Sequence, residues 1–112
     1  EENRRGEYVV SSVKQFVEAH YGDSICLEEL AADIGLSPNY VRSLFKESEG
    51  ITINDWIVEF RMGKACELLR DRRLKVKEIS RMVGYENSSY FCSVFARRFG
   101  ASPNEYRGEI LG

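Results

Sequence analysis

Apolar residues recur along this 112-residue chain at spacings of three and four, the period that lays a stripe down one face of an α-helix. Val9, Val10, Val13, Phe16, Val17, His20 and Tyr21 form the first stripe and predict an amphipathic helix over residues 7–21, ended by Gly22. His20 lies on that stripe without partners of metal-ligand type, so a packed or half-exposed side chain is expected. Leu27, Leu30, Ala31 and Ile34 predict a short second helix closed by Gly35. Ser37-Pro38 then supplies a capping oxygen followed by a ring that presets the first helical φ. A third helix opens there, with Tyr40, Val41, Leu44 and Phe45 inward and Gly50 as its stop.

The second half is punctuated in the same way. Thr52 with Asp55 three residues on resembles a capping box, with Asp in place of Glu or Gln, and opens a long helix through about Arg70. Its buried candidates are Trp56, Ile57, Phe60, Ala65, Leu68 and Leu69. Val76, Ile79 and Val83 mark a short helix before Gly84; Asn87 caps the next, which turns Tyr90, Phe91, Val94, Phe95 and Phe99 inward until Gly100. Ser102-Pro103-Asn104-Glu105 combines a capping box with proline at the first helical position and starts a last short helix holding Tyr106. No useful segment alternates with period two, both prolines sit at helix starts, and no Gly/Ser linker interrupts the chain. The expectation is one all-α unit of seven helices.

Composition narrows the class. With 43% hydrophobic and 30% charged residues in 12.9 kDa, the chain can bury a core and is not a disordered tail. Its longest uncharged stretch, Asn87 to Ala96, is ten residues, against about 20 apolar residues for a bilayer span, so neither a membrane helix nor a signal peptide is expected. Cys26, Cys66 and Cys92 are odd in number and contain no CxxC pair, and His20 is the single histidine. A disulfide framework and a zinc site are therefore disfavoured, and the thiols are expected as small hydrophobes in a reducing interior such as the cytosol. The chain begins at Glu1 without methionine, which suggests a fragment of a longer protein.

A net charge of −2 and a pI near 5.5 argue, taken alone, against a nucleic-acid binder. The distribution argues the other way, since residues 1–37 hold three basic side chains against eight acidic ones, and residues 38–112 hold 13 against 10. Within Arg61 to Arg81 there are eight basic and three acidic residues, a pattern that charge alone assigns to a solvated helix face.

The chain also repeats. At an offset of 49, Leu27 aligns with Val76, Leu30 with Ile79, Ile34 with Val83 and Gly35 with Gly84. At an offset of 50, Tyr40 aligns with Tyr90, Leu44 with Val94, Phe45 with Phe95 and Gly50 with Gly100, and residues 52–56 align with residues 102–106. Two copies are too few for a solenoid. Each reads as short helix, Gly-containing turn, second helix, the helix-turn-helix plan, in which the first helix buttresses the second and frees its outer face for a major groove. About 18 residues of linking helix, at 1.5 Å each, span roughly 27 Å, enough to hold two reading helices near one DNA turn apart.

These residues carry a family resemblance. Leu27-Glu28-Glu29-Leu30-Ala31 through Gly35-Leu36-Ser37-Pro38-Asn39-Tyr40-Val41-Arg42-Ser43-Leu44-Phe45-Lys46-Glu47 and Gly50 is similar to the first half of the DNA-binding domain of AraC/XylS transcription regulators. Arg61, Ala65, Leu68-Leu69, Ile79, Val83-Gly84-Tyr85, Ser89-Tyr90-Phe91, Val94-Phe95, Phe99-Gly100 and Pro103-Asn104-Glu105-Tyr106-Arg107 resemble its signature region. The resemblance implies a first helix-turn-helix subdomain over 7–50, a linker helix over 52–71 and a second subdomain over 74–108. It implies double-stranded DNA as target, RNA polymerase as a partner, a sensor or receiver domain preceding this one, no cofactor, no metal and no membrane.

The resemblance also assigns positions. It places Asn39, Arg42 and Ser43 at the base-reading positions of the first recognition helix, with Arg42 suited to a bidentate contact with guanine and Asn39 to one with adenine, or to a cap or phosphate contact. In the second, Ser88, Ser89 and Ser93 fill reading positions where the family commonly has longer side chains, Ala96 replaces a lysine, and Cys92 takes the place of Arg42. That half-site is expected to depend on backbone contacts and DNA shape. Ser37, Lys46, Lys75, Lys77, Arg97 and Arg98 are the phosphate candidates. Cys26 stands where a Ser or Thr cap is usual and is expected to cap poorly; Ser80 replaces an alanine for no reason visible in the sequence. An enzyme is disfavoured by the absence of any nucleophile paired with a base. A helical protein-interaction module is the rival, with the acidic first third in its favour, but it gives no reason for cations on both second helices. RNA fits less well, because an A-form major groove is too narrow for a reading helix. The acidic first third is expected to point away from DNA.

Overall fold

The structure, a computed structural model, describes residues 2–111. Among them seven helices follow one another, α1 (Glu2–His20), α2 (Leu27–Asp33), α3 (Pro38–Glu49), α4 (Ile53–Leu69), α5 (Val76–Met82), α6 (Ser88–Phe99) and α7 (Pro103–Leu111), and no strand occurs. None of the described helices is long and apolar enough to cross a membrane.

The helix starts follow local chemistry. The Tyr40 N–H donates to Ser37 Oγ at 3.2 Å, that of Tyr90 to Asn87 Oδ1 at 2.9 Å, and that of Asp55 to Thr52 Oγ1 at 3.0 Å. At α7 the box is reciprocal, with Glu105 N–H on Ser102 Oγ at 3.2 Å and Ser102 N–H on Glu105 Oε1 at 2.9 Å. Lys75 precedes α5, and its ammonium has no lone pair to offer; only its own N–H is satisfied, by Glu78 Oε1 at 3.1 Å. Cys26 makes no side-chain cap bond to α2, as expected of a thiol. The first helix begins earlier than the apolar stripe indicated. Its stripe continues through buried Gly6, which hydrophobic counting passes over and where an added Cβ would lie 2.8 Å from Ser48 Oγ.

The repeat is visible in the backbone. Gly35 has φ +73° and Gly84 φ +99°, and each follows the same pair of turn bonds: Leu36 N–H to Ala31 carbonyl at 2.9 Å with Gly35 N–H to Ala32 at 3.1 Å, and Tyr85 N–H to Ser80 at 2.8 Å with Gly84 N–H to Arg81 at 3.0 Å. Both turns are Schellman closures, whose left-handed residue carries no Cβ penalty when it is glycine. Ser80 is fully buried and its Oγ donates to the Tyr85 carbonyl at 2.7 Å. The hydroxyl thus adds a tie across the second turn, the structural reason for serine there.

Two compact units divide between Phe60 and Arg61, inside α4. In the first, Val9, Val13 and Val17 of α1 join Leu27, Leu30, Ala31, Val41, Phe45 and Ile53 in one core, with Trp56, Ile57 and Phe60 half-buried against it. In the second, Met62, Ala65, Leu69, Ile79, Val83, Phe91 and Phe95 are fully buried, and Phe95 meets Phe99 and Tyr106 at ring-centroid distances of 4.6 and 5.4 Å. Several assignments change. Ile53 and Met62, not read as core, are buried. Tyr40 and Tyr90, read as inward, are 38% and 58% exposed, because the third residue of each helix lies at the edge of the packed face. Leu68 is half-buried. His20 is exposed, its ring 4.7 Å from Phe16. The three cysteines are free and half-buried.

Candidate nucleic-acid interface

In the first unit, α3 is two-sided. Val41 and Phe45 anchor it in the core, while Asn39, Arg42, Ser43 and Lys46 are all exposed on the opposite side. At about 100° per residue these four fall within one ~60–100° sector. Arg42, Ser43 and Lys46 also line a groove of about 560 Å³ whose other wall is Thr52, Ile53 and Asn54 at the start of α4, with Glu47 at its margin. Ser37 is exposed just before the helix, its hydroxyl oxygen already engaged as the cap. The sector therefore presents a guanidinium, an ammonium, an amide and a hydroxyl, which can read base edges and hold phosphate.

Arg42 is not isolated. Its Nη1 donates to Asn39 Oδ1 at 3.2 Å, and its Nη2 lies 3.9 Å from Glu28 Oε1 on α2. Glu28 belongs to the acidic first third, and its carboxylate stands on the same side as the exposed polar sector of α3. A cation of α1 reaches the same helix, where Arg5 Nη1 donates to the exposed Tyr40 phenol at 3.5 Å. Tyr40 and Arg5 carried no sequence signal for this role, because helical phase puts Tyr40 on the edge of the core face and Arg5 lies 35 residues away.

In the second unit, Ser89, Ser93 and Arg97 are exposed on α6, whereas Ser88 and Cys92 are half-buried. The Ser93 hydroxyl is turned back onto the Ser89 carbonyl at 3.2 Å. Arg98 departs from the rest: at about 100° per residue it lies roughly 160° round the helix from the midline of Ser89 and Ser93, with its guanidinium 5.0 Å from the Phe99 ring. Lys75 and Lys77 are exposed at the start of α5. Tyr90 stands exposed beside Tyr85 at 5.9 Å, and Arg61 lies 5.4 Å over the Tyr85 ring. Burial pushes the Tyr85 phenol above its ordinary value, and the Arg61 charge opposes that rise.

A helix-turn-helix domain model matches residues 30–109. The regulatory protein PocR of Salmonella typhimurium is 38% identical over 96 residues, 86% of this chain and 32% of that protein. The C-terminal domain of AraT, a response regulator from Geobacillus stearothermophilus, superposes with a TM-score of 0.84 at 33% identity, covering 90% of this chain and 84% of that one. The chain belongs to the AraC/XylS family of helix-turn-helix DNA-binding domains. It spans 32–40% of the length of the first curated relatives it matches. A likeness in fold extends to the DNA-binding domain of the global transcriptional factor AdpA, solved in complex with a target DNA, with a TM-score of 0.80 at 24% identity and covering 89% of this chain and 90% of that one.

Seen as an AraC/XylS domain, the chain is uneven. Its α3 exposes long polar side chains, and its α6 carries serines, with Cys92 at the position that matches Arg42 in the repeat. Arg107, part of the signature region but without a role in the sequence reading, has one in the structure. Its Nε donates to the Leu69 carbonyl at 2.9 Å and its Nη2 to those of Asp71 and Leu74 at 3.2 and 2.7 Å, tying α7 to the end of α4 and the following loop. The loop is braced again by Arg73, whose guanidinium meets the Asp71 carboxylate at 3.0 Å and holds it below the usual carboxylate range.

Proposed function

We propose that the chain is the sequence-specific, double-stranded-DNA-binding output domain of a bacterial AraC/XylS-type transcription regulator, with α3 and α6 each entering a major groove and α4 linking the two helix-turn-helix subdomains (7–50 and 74–108). The observation that carries this reading is the two-sided α3, where four exposed polar residues, Asn39, Arg42, Ser43 and Lys46, back onto a buried Val41 and Phe45. Asn39, Arg42 and Ser43 take the base-reading role, and Ser88, Ser89 and Ser93 form a weaker second reader. Ser37, Lys46, Lys75, Lys77 and Arg97 take the phosphates; Arg98, by its phase on α6, contributes least. In this reading the domain performs no catalysis and needs no cofactor. It works in the bacterial cytoplasm beside RNA polymerase, as an activator, downstream of a sensor or receiver domain; the AraT response-regulator neighbour supports the receiver.

Selection of bound duplexes from a random library, followed by titration of the selected and a scrambled duplex at several salt concentrations, tests the proposal. Two enriched half-sites about one helical turn apart, with affinity falling steeply with salt, are expected. Salt-sensitive binding without sequence preference would remove the reading role of α3, and no binding at low salt would favour a protein-interaction module.

A further inference from the structure

We propose that Glu28 is a positioning residue for specificity, holding Arg42 together with Asn39 as a single guanine-reading unit; the inference rests on the DNA-reading role proposed for α3. Arg42 is gripped on two sides, Nη1 by Asn39 Oδ1 at 3.2 Å and Nη2 by Glu28 Oε1 at 3.9 Å. The second Glu28 oxygen accepts from Cys26 Sγ at 3.5 Å, so the carboxylate is itself oriented. A guanidinium has five N–H donors in a fixed fork, and these two contacts leave donors for the O6 and N7 of guanine.

Two consequences distinguish this arrangement from independent readers. A bidentate contact to adenine uses the amide oxygen on which Arg42 already donates, so Asn39 and Arg42 read together at one base pair and not as two independent readers. A carboxylate beside the reading face also repels phosphate, which penalises complexes in which Arg42 swings onto the backbone of an unmatched sequence. The second copy supplies an internal comparison. The position matching Glu28 is Lys77 at the offset of 49, and the position matching Arg42 is Cys92 at the offset of 50. The acid occurs in the copy with an arginine to hold, and a phosphate-seeking cation replaces it in the copy without one.

The test uses the selected duplex, every single-base-pair variant of it, and the scrambled control, with the wild-type chain, Arg42→Ala, Asn39→Ala, Glu28→Gln and Glu28→Asp, each confirmed folded by circular dichroism. Arg42→Ala and Asn39→Ala are expected to flatten discrimination at the same base pair. Glu28→Gln is expected to lower discrimination there and to tighten scrambled-DNA binding, each by roughly threefold, the scale of one exposed ion pair; Glu28→Asp, which keeps the charge, restores the weak scrambled binding. Loss at a different base pair for Asn39→Ala, or discrimination within about twofold of wild type for Glu28→Gln, overturns the unit. Absence of any preferred sequence for the wild-type chain overturns the DNA-reading role of α3 itself.

Discussion

Truncating Arg107 to alanine removes three hydrogen bonds at once, those to the carbonyls of Leu69, Asp71 and Leu74 at 2.9, 3.2 and 2.7 Å. The Leu69 carbonyl belongs to the last turn of α4, where no intrahelical donor remains. A hydrogen bond to a charged group contributes about 1.5–3 kcal/mol net, so three at the low end set a ceiling near 4.5 kcal/mol. The site is half-buried, and water re-occupies part of the freed carbonyls, which brings the expected loss to about 2–3 kcal/mol. That is a large share of the ~5–15 kcal/mol that holds a domain folded, and at about 4–8 °C per kcal/mol it corresponds to a fall of roughly 10–20 °C in Tm. Urea and thermal unfolding followed by far-ultraviolet circular dichroism measure it. Arg107→Lys keeps the charge and loses the planar fork, so it should recover less than half of the loss. A cost below about 1 kcal/mol for alanine, or full recovery by lysine, would refute the assignment of α7 docking to this fork.

Arg42→Ala should cost about 1–3 kcal/mol on the selected duplex and relax preference at one base pair, read by titration against scrambled DNA; equal loss on both duplexes would count against base reading. Arg97→Ala should weaken all duplexes alike and lower the salt slope by about one, whereas Arg98→Ala should leave that slope nearer the wild type. Ser80→Ala removes the bond to the Tyr85 carbonyl and should lower stability by about 0.5–1.5 kcal/mol in urea titrations, with an unchanged m-value. Glu105 is held below its ordinary 4.5 by the backbone N–H and then the hydroxyl of Ser102. A depressed carboxylate stabilises above its unfolded pKa and stops doing so as pH falls through the folded one, so Glu105→Gln should lower stability at neutral pH, change it least below the folded pKa, and thereby flatten the acid limb of the stability profile.

Much of the fold is local chemistry. The oxygens of Ser37, Asn87 and Ser102 sit three residues before the amides they accept from, and Gly35 and Gly84 supply the left-handed residue that ends a helix, so the helix ends could be read from short windows. The duplicated motif was equally legible, because a repeat is a property of order alone. The candidate site was legible only in outline. Helical phase put Asn39, Arg42, Ser43 and Lys46 on one side of α3, but the same phase left Tyr40 and Tyr90 at the boundary of the core face, where only the packed neighbours decide exposure.

By itself, then, the sequence determined seven helices, their caps, the two-copy plan and the polar sector of each second helix, since each depends on residues within one or two turns. Tertiary structure decided which carboxylate stands beside Arg42, what Arg107 holds, why Ser80 is a serine, and that Gly6 belongs to a buried stripe. In the cases of Arg42 and Glu28, Arg107 and Leu69, and Gly6 and Ser48, the partners are 14, 38 and 42 residues apart. Their meeting follows from how helices pack, through shape, volume and the satisfaction of carbonyls at helix ends, and no periodicity along the chain encodes those contacts.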